Sequence, residues 1–164
     1  MKLKEKSYAG LTIPEVMVAT LILVVFFASV FELNAVCLRY INASKENVAA
    51  LQSVQDRAEV LRNLAFSDLV DQAKLQTLLI TPPNGSDFGS AKATEVVKLS
   101  AYPTANGVTQ LTRMPNGAVT INSTATDLGN TLVQVEITTS WTMTLGGRPR
   151  SEQITTIVSN GTKK

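Results

Sequence analysis

From Glu15 to Ala65 the chain contains neither proline nor glycine. A run that long, with a donor on every backbone nitrogen and no helix breaker, predicts one long helix. Its first part is almost wholly apolar: Val16-Met17-Val18-Ala19-Thr20-Leu21-Ile22-Leu23-Val24-Val25-Phe26-Phe27-Ala28-Ser29-Val30-Phe31. Counted from Ile13 to Leu33, the apolar span is about 21 residues, near the roughly 20 that a helix needs to cross a bilayer core. One carboxylate, Glu15, lies at its start. Ionisable groups in membrane segments are costly and usually mark function.

After Leu33 the pattern turns amphipathic. Val48, Leu51, Val54, Ala58, Leu61 and Ala65 recur every three or four residues, which predicts an apolar stripe facing a core. Lys45, Glu46, Gln52, Asp56, Arg57, Glu59 and Arg62 lie between them and are expected on the solvent side. A helix from Leu11 to Ala65 would hold about 55 residues and run roughly 80 Å.

Ahead of the span stand Lys2, Lys4 and Lys6 against a single Glu5. By the positive-inside bias this end stays in the cytoplasm and the rest is exported. A secretory cleavage site needs small residues after the apolar core. Ala28, Ser29 and Ala35 each have Phe26, Phe27 or Leu33 two places earlier, where a small residue is required. Cys37 follows Asn34-Ala35-Val36, with no small residue beside the thiol, which excludes a lipoprotein site. A cut after Gly10 would keep the whole span in the mature chain.

A short basic leader, then Gly10-Leu11-Thr12-Ile13-Pro14-Glu15-Val16, then an apolar helix, resembles the signal of type IV pilins and type II secretion pseudopilins, most closely their minor subunits. The resemblance covers about ten residues and departs from the family in Leu11, where Phe is usual, and in Pro14. It implies cleavage by a prepilin peptidase between Gly10 and Leu11, methylation of the new Leu11 amine, and an assembly role for Glu15. Glu15 would pair with the Leu11 amine of a neighbouring subunit, neutralising both charges. Its partners would be the peptidase, other pilin or pseudopilin subunits, the inner-membrane assembly platform and lipid. Pro14, near the start of the mature helix, lacks only a donor that would be unpartnered there. It disfavours a helix running across the cut.

Side-chain charges number 15 basic and 13 acidic. Removing residues 1–10 takes three lysines and one glutamate, leaving 12 of each sign. A neutral mature chain argues against a nucleic-acid surface. The single cysteine, Cys37, precludes an intramolecular disulfide. Without histidine, the chain lacks the usual general base and Cys/His zinc ligation, so it reads as a non-enzyme with no cofactor. Asp68, Asp71, Asp87, Glu95 and Asp127 show no calcium-loop spacing.

Ser67 is a candidate N-cap for a second helix from about Asp68 to Leu79, stopped by Pro82-Pro83. Residues 82–90 are rich in turn formers. From there the period becomes two. Val133, Val135, Ile137, Trp141, Met143 and Leu145 alternate with polar residues in a half-buried strand, with Trp141 on the core side. Gly146-Gly147 suits a two-residue hairpin turn into a strand from Ser151 to Ser159. Val119 and Ile121 suggest a third strand, and Val97 to Ala101 a fourth. Glu32 with Arg39, and Arg148 with Arg150, are expected on solvated surfaces.

The expected class is α+β: a long N-terminal helix packed on a small antiparallel sheet, in the pilin manner. Residues 1–10 form the removed leader, 11–33 the membrane or filament-core half of the helix, 34–65 the amphipathic half, and 66–164 an extracytoplasmic domain. The expected role is structural, in a type IV pilus or a type II secretion pseudopilus. The expected location is the bacterial inner membrane, single-pass with a cytoplasmic N-terminus, and then the filament. A membrane-tethered periplasmic binding module that never polymerises is the alternative.

Overall fold

The structure, a computed structural model, describes residues 10, 12–83 and 87–161. The chain divides into two units, residues 1–40 and 41–164. Helix α1 (Ile13–Asn63) runs through 51 residues and contributes to both. Within the first unit it is exposed along its whole described length.

The second unit holds the rest of α1, the short helices α2 (Phe66–Leu69), α3 (Gln72–Ile80) and α4 (Asp87–Ala91), and five strands. These are β1 (Thr94–Ala101), β2 (Thr109–Arg113), β3 (Val119–Ser123), β4 (Leu132–Thr142) and β5 (Pro149–Ser159), all antiparallel, in the order β3-β2-β1-β4-β5. The expected alternation in β4 holds: Val133, Val135, Ile137, Thr139 and Trp141 are buried. One face of the sheet supplies Val97, Leu99, Leu111, Val133, Val135, Ile137 and Val158 to the core. Val54, Ala58 and Leu61 of α1 close it, joined by Leu69, Leu75 and Leu79. Each fully buried leucine contributes roughly 1.5–3 kcal/mol. Trp141 stands edge-to-face on Phe88 at 5.7 Å, as core packing required.

Four expectations are corrected. The stripe of α1 is rotated: Val48, Leu51 and Ala65 are exposed, while Ala43, Glu46, Ala50, Ser53 and Arg57 are buried with Val54, Ala58 and Leu61. The second helix is two helices. Asp71, not Ser67, caps the longer one, its Oδ1 accepting from the Ala73 (2.9 Å) and Lys74 (3.4 Å) amides. Asp87–Ala91, expected within a turn, is a helical turn. Strand β4 stops at Thr142, so Met143 and Leu145 belong to a six-residue loop, 143–148, closed by Met143 N–H donating to Arg148 O at 3.0 Å. Gly146 and Gly147 both hold positive φ there (77° and 61°), which glycine adopts without a Cβ clash.

Glu46 ties α1 to that loop. Its carboxylate accepts from Lys92 Nζ (2.7 Å), from the Thr144 amide (3.1 Å) and from the Thr144 hydroxyl. Burial alone would raise its pKa, but these hydrogen bonds outweigh burial and hold it below the usual glutamate value. A depressed carboxylate stabilises the fold above its unfolded pKa, and that stabilisation is lost as pH falls through the folded value. The full chain in detergent is therefore expected to lose melting temperature below about pH 4.5. Glu46→Gln should flatten part of that loss, and an unchanged pH profile in this variant would count against the tie.

Candidate functional site

The N-terminal site is built by the start of α1. Gly10 is exposed, and a Cβ placed on it would meet nothing within 4 Å. Leu11, the expected methylation site, and the leader residues 1–9 lie outside the described residues. The helix begins at Ile13 rather than Leu11, with Thr12 as the residue before it. The Thr12 carbonyl accepts from the Glu15 amide (3.0 Å) and the Val16 amide (3.2 Å). Pro14 is the second helical residue, where its missing N–H leaves no intrahelical bond unmade. Glu15 lies in the first turn, where the helix dipole favours a negative charge. Thr12-x-x-Glu15 is also the spacing of a capping box, a start signal that fixes Ile13 better than the apolar run does.

Around Glu15 the helix offers only apolar surface. Met17 is 67% exposed, Leu21 66% and Val24 68%. This is the one helix among the described residues long and apolar enough to cross a membrane. So large an exposed apolar patch demands a cover. Glu32, Cys37 and Arg39 are exposed on the same unit.

A second polar constellation, buried in the second unit, escaped the sequence. Glu95 on β1 accepts a forked pair from Arg57 on α1, Nε to Oε1 at 2.6 Å and Nη2 to Oε2 at 3.1 Å. Arg57 also donates to Thr81 O (2.7 Å) and Leu78 O (3.4 Å). Arg113 stands directly across the β1–β2 ladder from Glu95 and donates to Gly89 O (2.8 Å) and Ile80 O (3.4 Å). Burial pushes the Arg113 guanidinium below its ordinary pKa, Glu95 pulls it back up, and Arg57 adds to the fall. The two arginines thus satisfy carbonyls on both sides of residues 82–87. The available signal was phase: Glu46, Ala50, Val54, Arg57 and Leu61 are spaced four, four, three and four, so both charged residues ride the apolar stripe.

Catalytic or metal chemistry finds no foothold in this geometry. Among the described residues no group of His, Cys, Asp and Glu could hold a metal ion. Glu95 is bound to Arg57, Asp68 to Lys74, and Asp71 caps α3. Asp127 accepts from the Gly129 amide at 2.7 Å. An open groove of about 650 Å³ between α1 and α3 is lined by Arg57, Val60, Leu78 and Pro82, among others, and its one buried cation is already engaged. Arg148 and Arg150 are exposed, Arg150 donating to Met143 Sδ at 3.4 Å. Compared with family models, curated proteins and solved structures, the chain matches none.

Proposed function

We propose that this chain is a prepilin-type structural subunit, a minor pilin or pseudopilin, that assembles through α1 into a type IV pilus or a type II secretion pseudopilus. The observation that carries the reading is one carboxylate, Glu15, in the first turn of a helix whose next 16 residues are exposed and largely apolar. Gly10 lies five residues ahead in extended, accessible chain, the kind of backbone a peptidase needs. The α+β layout of the second unit supports the reading at the level of architecture.

In this proposal the leader stays cytoplasmic and a prepilin peptidase cuts between Gly10 and Leu11. The new Leu11 amine is methylated, and residues 41–164 stand outside the cytoplasm. The free amine of an incoming subunit meets Glu15 of its neighbour. Both charges are then neutralised in apolar surroundings, where an uncompensated charge costs several kcal/mol. The exposed helix thus exchanges lipid for sister helices. The chain acts by packing, not by catalysis.

Mass spectrometry of the mature N-terminus tests this directly. The expected result is a chain beginning at methylated Leu11. An intact Met1, or a cut beyond residue 28, would remove the reading.

A further inference from the structure

Strand β5 forms one edge of the sheet over 11 residues, paired with β4 without a register break. Two hydrogen bonds fix which way its backbone groups point. Met143 N–H donates to Arg148 O (3.0 Å) at one end of the ladder, and Asn160 N–H to Thr131 O (2.8 Å) at the other. In an antiparallel pair such bonded positions alternate with unbonded ones. The even residues from Arg150 to Val158 therefore turn N–H and C=O toward β4. Ser151, Gln153, Thr155, Ile157 and Ser159 turn theirs outward, and these find no partner among the described residues. Pro149 sits in the outward set, so its missing donor costs the β4 ladder nothing.

Edges are usually guarded by charge, proline, bulges or shortness. The opposite edge, β3, has five residues and a register shift in its pairing. Past Glu152, β5 has no such guard. Gln153-Ile154-Thr155-Thr156-Ile157-Val158-Ser159 is uncharged, five of its residues are β-branched, and Ile157 is 46% exposed.

We propose that the outer edge of β5 receives an extended, uncharged, β-branched-rich segment of a different polypeptide, running antiparallel to β5. Backbone groups would supply the affinity, and cross-strand contacts with Ile154, Thr156 and Ile157 the selectivity. Direction excludes a second copy. Strand β5 starts just past the loop that Glu46 holds, and it ends where Ile157 to Gly161 share a hollow with Arg62 to Ser67. It thus runs the same way as residues 46–63 of α1. Copies anchored side by side in one membrane present β5 in one direction, so they cannot pair β5 with β5 antiparallel. This last step rests on the membrane-anchored reading above.

Amide hydrogen exchange provides the test. The full chain is extracted from its own membranes in mild detergent with its companions, and is compared with the same chain purified alone. The amides of Ser151, Gln153, Thr155 and Ile157 are expected to exchange about a hundredfold more slowly in the first preparation. Thr155→Pro should abolish that difference while leaving the even amides protected and the melting temperature of the purified chain unchanged. Ile157→Lys, which keeps every backbone donor, should weaken the protection as well. Equal, fast exchange in both preparations overturns the proposal. So does protection in the purified chain that grows with its concentration, which would identify a second copy. A protected edge on a chain that never enters filaments leaves this proposal standing and removes the assembly reading. A fast edge on a chain found in filaments does the reverse.

Discussion

Glu95→Gln is expected to cost the domain about 3–5 kcal/mol, because it strips the carboxylate from two buried guanidiniums at once. Arg57 and Arg113 are both nearly inaccessible, and Glu95 lies between the helix that carries one and the strand that carries the other. Without it, each cation keeps only carbonyl partners in a medium that penalises net charge. Arg57→Met should cost less. Its aliphatic stem is largely replaced, and Glu95 retains Arg113 across the ladder. The measurement is thermal melting of the full chain in detergent. Glu95→Gln should lower the midpoint by about 10 °C or more, and by more than Arg57→Met does. An order reversed between the two variants would show that the carboxylate does not serve both arginines.

Glu15→Leu should leave membrane insertion and cleavage after Gly10 intact yet reduce incorporation into filaments about a hundredfold. In the proposed assembly the Leu11 amine of each incoming subunit is buried against Glu15. A cation left unpaired in an apolar span costs roughly 2.5–3.5 kcal/mol, and each 1.4 kcal/mol is a tenfold effect. Quantitative immunoblotting of sheared filaments against membrane-bound mature protein reads the ratio. A tether that never polymerises would be indifferent to the substitution, so an unchanged ratio would favour that alternative.

Much of the architecture was legible because it rests on periodicity. The long helix, the alternation in β4, its return in β5 and the covered sheet face all follow from apolar spacing. Strand β2 was not legible: Thr109-Gln110-Leu111-Thr112-Arg113 holds one apolar residue, and the strand is buried largely through polar side chains. The break between α2 and α3 was hidden because neither glycine nor proline marks it; the Asp71 carboxylate, bonded to two amides, decides it. The rotation of the α1 stripe was missed for a related reason. Glu46 and Arg57 were assigned to solvent by residue type, although their spacing already aligned them with Leu61. At the N-terminal site the order of Gly10, Pro14 and Glu15 was plain from the residues, whereas the helix start at Ile13 needed the Thr12 carbonyl.

The only cysteine, Cys37, lies in the first unit, so the segment from Ile41 onward contains no sulfur that could be cross-linked. Its cohesion comes from the Leu61–Leu99–Ile137 interior and the Arg57–Glu95 fork, neither of which responds to thiols. Folding of this segment therefore needs no oxidase and gains nothing from one. A glutathione-rich compartment would suit it as well as an oxidising one.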